Sequence, residues 1–510
     1  MKILLNTMLA AAVLSGAKGE DDRPNIIFLM TDDQDRYSLG CYGNPDVKTE
    51  NLDGLADDGV VFERYYTSTA ICMASRATTV TGMYEYKTGC NFDHGNLLKE
   101  KWQQSYPVLL REAGYHTAFA GKVGFEICDE PEAKRGSVPR KDFDVWAGTP
   151  GQSSYHTKSN EGMKEYAEEY PHSTLSYGAF AQDFIKDSVE VGKPFCLSIS
   201  FKAPHMPVMP DPRYDDVYKG QTFTKPANFG RENGKHFSEH AMYGRQYKRF
   251  KSMGYEARYD AAIARYYQQI YAVDQAVGMI RTTLEEQGVD DNTVIIFTSD
   301  HGFMCGAHGY GSKVLPYEES SGAPMIIFDP REKEVTGGQR RDALACNIDI
   351  APTILGLAGI EAPQNMDGKN MMNVYRDDEA TNHDSIALIN VWGPTEMHAL
   401  SVLDEDYKYI CWAYAGTGPH RDTPLGVVEE LYHITDDPIE MKNLVGQKGT
   451  EEVLEKMRTL YGKHLDHWKE EAVPFHRYPQ YGVAFDRNLP WEKRADHYLK
   501  TKWPENRPPN

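Results

Sequence analysis

The sequence predicts an α/β protein: a large mixed, mostly parallel sheet between helices, then a smaller C-terminal α+β unit with an antiparallel sheet. Three observations predict it. Residues 26–30 and 294–297 are uninterrupted apolar runs that stop at acidic residues, Asp32-Asp33 and Asp300. A run apolar at every position suits a strand covered on both faces, as in parallel sheets. Strand-like and helix-like stretches alternate up to about residue 366, and beyond it short strands and turns take over.

The elements follow in order. Residues 44–62 read as a loop, a helix through 52–58 and a strand from Val60. Residues 67–82, TSTAICMASRATTVTG, can open a helix that ends near Gly82. Residues 102–114 have helical spacing and a terminal glycine, and 115–120 form a strand that delivers Lys122. The polar stretch 131–160 reads as surface loop around a substrate cleft. Residues 175–191 read as a helix and 195–201 as a strand ending before His205. The insertion 207–254 carries Lys235, Arg245, Lys248, Arg249 and Lys251. An insertion this long is functional or mobile, with a basic solvated cover as the plainer alternative. A long amphipathic helix over 259–286, a strand over 324–328 and a helix over 350–357 complete the first unit. Strands over 386–391, 398–403, 407–412 and 430–434 and a helix over 451–470 make the second. The expected division is a signal peptide over 1–19, a catalytic domain over 20–366, the smaller subdomain over 367–472, and a surface-wrapping tail over 473–510.

Lys and Arg total 55 against 75 Asp and Glu, a net charge of −20. That balance argues against nucleic acid and anionic membranes as partners, so a site for an anionic substrate has to be locally basic. Lys2, an apolar run over 3–14 and small residues near Ala17 fit a secretory signal peptide, too short to span a bilayer. The mature protein is expected in the periplasm or outside the cell, with no membrane span. Eight cysteines are few for this length and imply no disulfide framework; with Cys72 set aside, at least one of the other seven is unpaired.

Cys72 stands where a helix begins, in the positive end of the backbone dipole, and Arg76 lies one turn along the same face. Alone, the pair reads better as a small buried cysteine beside a surface arginine. The acidic strand ends reverse that weighing. Ligands of open α/β sheets gather beyond the carboxyl ends of the strands, so Asp32, Asp33, Asp300 and His301 face one crevice. Three carboxylates there call for a cation, and oxygen ligands favour calcium or magnesium.

Asp32-Asp33, the C-x-A-x-R of Cys72–Arg76, GYHTAFAGK ending at Lys122, APHMP around His205, SDHG at Asp300-His301 and GAHGYGSK ending at Lys313 resemble the ordered motifs of the type I sulfatases, in the alkaline phosphatase superfamily. ELYHITDDPIEMKNL over 430–444 is similar to a segment of that family's C-terminal subdomain, so the resemblance spans roughly 23–444. It implies an exported sulfatase acting on a sulfated carbohydrate, a glycosaminoglycan or algal polysaccharide fragment. It implies that a formylglycine-generating enzyme or anaerobic maturase oxidises Cys72 to formylglycine. The hydrate would attack sulfur with one oxygen, and its second hydroxyl would expel sulfate. Asp32, Asp33, Asp300 and His301, with residue 72, would hold calcium, magnesium being second choice. Arg76 would support the hydrate, Lys122 and Lys313 would grip the sulfuryl oxygens, and His205 would protonate the leaving oxygen. His308 would bind substrate or order the Lys313 loop. Substrate contacts are expected from Trp392, His398 and Arg421 of the smaller subdomain and from Tyr155 and His156.

The chain departs from the family pattern at three positions. Ala74 stands for the common proline, His301 for an asparagine ligand, and Gly124 for a histidine two residues after the lysine. In the family it resembles, that histidine is the usual base for sulfate release, so either another group, His94 or His308, substitutes or turnover is slow. Two other readings compete. One is a phosphodiesterase or phosphonate hydrolase of the same superfamily, many of which need further His and Asp ligands that are not paired here. The other is a sulfoglycan-binding protein whose Cys72 stays a thiol.

Overall fold

The computed structural model describes residues 23–335, 337–413 and 427–498, so the expected signal peptide and Arg421 lie outside the described residues. Eight strands form the main sheet: β1 Asn25–Thr31, β2 Val60–Phe62, β3 His116–Lys122, β4 Val145–Thr149, β5 Phe195–Ser200, β6 Thr293–Ser299, β7 Met325–Phe328 and β8 Gln339–Arg341. Their order is β8-β2-β7-β6-β1-β5-β3-β4, parallel throughout except for β7, which opposes both neighbours.

β1 lies inside the sheet, and Ile27 is in register with Leu197 on one side and Ile295 on the other. Alternation sends its side chains into two cores. Ile27 and Leu29 join the core made with α2 (Ser173–Val191) and α4 (Tyr259–Gln287), between which α3 (Arg245–Ser252) lies in sequence. Ile26, Phe28 and Met30 join the opposite core, with Met73, Ala77 and Val80 of α1 (Cys72–Thr81). Every β1 residue is buried, which explains why no polar residue interrupts the run; each such side chain contributes roughly 1.5–3 kcal/mol.

The smaller unit is an antiparallel meander of β9 Ile386–Asn390, β10 Ala399–Leu403, β11 Tyr407–Trp412 and β12 Val428–His433. Helix α5 (Glu451–Glu471) buries Met457, Tyr461, Leu465 and Trp468 in the same core. That core also holds Ile71 and Ala74, and the Ile389 amide donates to the Ser68 carbonyl at 2.6 Å. The meander thus braces the start of α1 from the side away from β1.

Three expectations change. The 131–160 stretch contains β4, whose Ala147 pairs in register with Ala120 of β3; five residues with a glycine are too short to reveal a period. Insertion 207–254 carries α3, on which only Gln246 and Phe250 are buried, so its apolar stripe is too thin to read. The tail does not simply wrap the surface: α6 (Tyr478–Ala484) buries Tyr478 and Tyr481, Phe485 follows them into the core, and the Tyr478 carbonyl accepts from Trp468 Nε1 at 2.8 Å. All eight cysteines are free thiols. Among the described residues no helix is long and apolar enough to cross a membrane.

Candidate active site

β1, β3, β5 and β6 are parallel, so their carboxyl ends share one edge of the sheet. β1 runs out into Asp32 and Asp33, β6 into Asp300 and His301, and β3 ends on Lys122, while the turn after β5 carries His205. The acidic turn is fixed from three sides. The Asp32 amide donates to the Ala203 carbonyl at 3.1 Å, the Asp33 amide to Asp300 Oδ1 at 3.1 Å, and the Tyr266 hydroxyl to the Asp33 carbonyl at 2.7 Å.

Cys72 opens α1, with no side chain capping the turn before it, so first-turn amides remain available to an anion. Lys313 Nζ lies 2.6 Å from Cys72 Sγ and 2.5 Å from Asp33 Oδ1, and Sγ is 3.4 Å from Asp32 Oδ1. Lys122 Nζ donates to Asp32 Oδ2 at 2.5 Å and to Gln152 Oε1 at 2.9 Å. Arg76 donates from Nε to Asp300 Oδ2 at 2.9 Å, and from Nη1 to the Lys122 carbonyl at 2.9 Å and to Ser200 Oγ. Lys313 is aimed by a strained loop. Ser312 and Val314 on either side of it have φ of 77° and 91°, a region costly for a β-branched residue, on the order of 1–3 kcal/mol each. The Lys313 carbonyl is tied down by Gln246 Nε2 of α3 at 2.7 Å.

The charges balance within the pocket. Burial would raise the Asp32 carboxyl, but Lys122, His205, Arg76 and Lys313 together hold it well below the usual range. Against the same burial, Lys313 and His205 bring Asp33 down to about 2. Burial, with Asp32 beside it, pushes Asp300 up to about 6. The Cys72 thiol is drawn well below its ordinary value: burial and Asp32 oppose this, and Lys122, Lys313 and His205 outweigh them.

Ligand atoms of Asp32, Asp33, Cys72 and His301 all lie within 4.8 Å of one another. Asp300 flanks that group instead of joining it, because its carboxylate carries Arg76 and the Asp33 amide. Two buried nitrogens in the pocket, Arg76 Nη2 and His301 Nε2, lack a hydrogen-bond partner. His205 Nδ1 donates to the Met206 carbonyl at 2.5 Å and Nε2 lies 3.8 Å from Asp33 Oδ2, facing the cluster.

The other expected residues scatter. His308 is fully buried, with Nε2 at Asn228 Nδ2 (2.8 Å) and Nδ1 on the Asn233 carbonyl (2.9 Å), so it orders the loop before Lys313. His94 bonds the Val391 carbonyl at 3.0 Å between the rings of Tyr478 and Tyr481. Neither contacts Cys72, which removes both as replacements for the absent histidine. His398 is buried too, on the Gly393 carbonyl at 3.2 Å and against Tyr481, and burial pulls its pKa to about 3; it packs the smaller unit and does not line the pocket. His156 is exposed, with its backbone bonded to Ser154 Oγ. Tyr155 is buried behind the pocket, donating to the His205 carbonyl at 2.5 Å. Trp392 reaches the site indirectly, under Arg245, whose guanidinium lies 4.6 Å from its ring centre. Gln152, Gln246 and Arg245 carry no motif signal and arrive by packing alone.

An anion pocket of this build, at this edge of such a sheet, defines a hydrolase of the alkaline phosphatase superfamily. The sulfatase family matches residues 24–360, and the C-terminal part of N-sulphoglucosamine sulphohydrolase matches 306–466. The chain belongs to the sulfatase family and is a sulfuric ester hydrolase. It is similar to an N-acetylglucosamine-6-O-sulfatase of Bacteroides thetaiotaomicron, 29% identical over 92% of each chain. An ulvan-active sulfatase of Formosa agariphila is 24% identical over 93% of this chain and 88% of its own. Among solved structures, a protein in complex with its substrate D-glucosamine-2-N,6-O-disulfate matches with a TM-score of 0.71 and 26% identity over 88% of this chain and 98% of that one. The phosphonate monoester hydrolase of Agrobacterium radiobacter shares the fold at a TM-score of 0.64 and 21% identity, over 87% of this chain and 96% of its own.

Proposed function

We propose that this is an exported sulfatase that hydrolyses a sulfate ester of a sulfated carbohydrate with a nucleophile made from Cys72. One observation carries the reading: Cys72 lies at a helix start against Lys313 and Asp32, in a pocket whose lysines can neutralise an anion. Sulfated glucosamine of a glycosaminoglycan is the favoured substrate, given the B. thetaiotaomicron relative, with an algal polysaccharide fragment next. A thiolate would hold sulfate in a persistent sulfur–sulfur bond. Oxidation to formylglycine by a maturation enzyme instead supplies, as the hydrate, an oxygen for attack and a second hydroxyl for release.

The remaining roles belong to residues present in the chain. Lys122 and Lys313 set two point charges against the sulfuryl oxygens as negative charge shifts in the transition state. Arg76, held by Asp300 and the Lys122 carbonyl, keeps Nη2 without a hydrogen bond, 3.7 Å from Asp32 Oδ2 and toward the reacting centre. As the imidazolium, His205 keeps Nδ1–H on the Met206 carbonyl and can give its Nε2 proton to the leaving oxygen, ending as the neutral ring. Asp32, Asp33 and His301, with residue 72 and with Asp300 alongside, fit a hard cation: two carboxylates stay ionised, and the buried His301 Nε2 makes no hydrogen bond and faces Asp33 and Asp300 at 3.5 and 3.4 Å. Calcium there would supply Lewis-acid polarisation of a bound oxygen.

The test is the mass of the Cys72 peptide after co-expression with the maturation enzyme, set against sulfate release. Converted protein should release sulfate, Cys72→Ala should lose at least about a thousandfold in kcat while keeping its melting temperature, and chelation should remove activity that calcium restores better than zinc. Full activity with only an unmodified thiol, or faster turnover of a phosphonate monoester than of any sulfate ester, sinks the reading.

A further inference from the structure

Helix α3 places two guanidinium groups at the mouth of the pocket. Arg245 and Arg249 are one turn apart and therefore on one face, where like charges repel. The helix is pinned in register: Gln246 is fully buried, donates to the Lys313 carbonyl at 2.7 Å, and accepts at its own carbonyl from the Gly311 amide at 3.0 Å. Gly244 leaves no room for a side chain against Met397 of the smaller unit. Arg249 Nη1 reaches Ser312 Oγ at 3.1 Å and Met206 Sδ at 3.8 Å, the neighbours in sequence of Lys313 and His205. Arg245 is exposed and lies over the half-buried Trp392 ring at 4.6 Å.

Neither guanidinium has a carboxylate within ion-pairing distance among the described residues, in a chain with 75 acidic side chains to choose from. An arginine pair held close, unneutralised and backed by an aromatic face is built for an external anion, because the fork offers parallel donors to planar or tetrahedral oxygens. The field of the site reaches this far. Partial desolvation of the guanidinium against neighbouring groups and the like charge of Arg249 lower the Arg245 pKa, while Asp33 and Cys72 raise it.

We propose that Arg245 and Arg249, with the Trp392 ring backing the Arg245 guanidinium, form a second anion subsite that takes another sulfate or a carboxylate of the same sulfated saccharide. This rests on the reading of the Cys72 pocket as the seat of the scissile sulfate. The second charge sets the choice among sulfated sugars, in a protein whose net charge of −20 otherwise repels them.

Binding to full-length Cys72→Ala protein, measured by calorimetry at low salt, tests the subsite without requiring turnover. Three probes are compared: glucosamine 6-O-sulfate, its 2-N,6-O-disulfate, and a 6-O-sulfated glucosamine linked to a uronate. The doubly charged probes should bind roughly ten- to a hundredfold tighter than the singly charged one. Adding Arg245→Gln and Arg249→Gln should erase that gap, and whichever doubly charged probe gains more identifies the anion. Arg245→Gln alone, at an exposed side chain with no hydrogen bond among the described residues, should close most of it should the double variant fold poorly. A gap that persists in either variant, equal binding of all three probes to the parent, or no binding of any, overturns the proposal. Sulfate release by converted wild-type protein decides the catalytic reading separately.

Discussion

Residues that finish a buried strand announce themselves. Asp32, Asp33, Asp300 and His301 were legible because an unbroken apolar run ends on each group, and a strand buried on both faces leaves only its end for charge. Gln152 and Arg245 were not, since each arrives by contact between segments far apart in the chain. Gly124 is the residue where sequence comparison misleads most. Its φ is 87°, and a Cβ there would lie 2.5 Å from Arg76 Cδ, so the position has no space for the histidine of related enzymes. Gly124→His should therefore destabilise the protein by about 2 kcal/mol or more, and should displace Arg76 from Asp300 and lower sulfate release. Thermal melts and kcat measured together check this. A variant that is faster and equally stable shows that the site can accept the histidine.

At the scale of elements, periodicity found the long helices, whose stripes are wide, and unbroken apolar runs found both central strands, which are buried on both faces. Periodicity missed β4 and α3, which are short and mostly polar and are held by a register with β3 in one case and by one buried glutamine in the other. The join between α1 and the tail was also hidden. Glu85, in the short helix after α1, is fully buried and accepts at Oε1 from Tyr478 of α6 at 2.7 Å and from Asn91 at 2.8 Å, leaving Oε2 without a partner. Burial raises its pKa from 4.5 to about 7. Between those values the folded state keeps a proton that the unfolded chain has lost, so stability falls as pH rises through the window, by about 3 kcal/mol in all. Glu85→Gln keeps both donors and cannot ionise. Urea midpoints should show the variant more stable at pH 8, by up to about 3 kcal/mol, and level with wild type at pH 4.5. The same difference at both pH values would mean that Glu85 is not the titrating group.

At the scale of the whole molecule, the division into a mostly parallel sheet and an antiparallel meander was foreseeable from the change of pattern near Asp367, whereas the closeness of their packing was not. One core runs from Ile71 and Ala74 through the meander to Trp468 and Phe485, so the two sheets clamp α1 between them. Cys72, at the first turn of that helix, is 1% exposed, and its side chain is closed in by Lys313 and Asp32. No enzyme active site can surround a thiol so enclosed. If Cys72 is the formylglycine precursor proposed above, its conversion has to precede completion of the fold, which would make it a race between a modifying enzyme and the closing of two sheets. Purified, folded, unconverted protein offered to the maturation enzyme should stay unconverted, while the same protein presented unfolded, or as the peptide 67–82, should be oxidised, as peptide mass would show. Chain that folds before it meets its maturation partner would be a permanently inert copy of the enzyme, identical in shape to the working one.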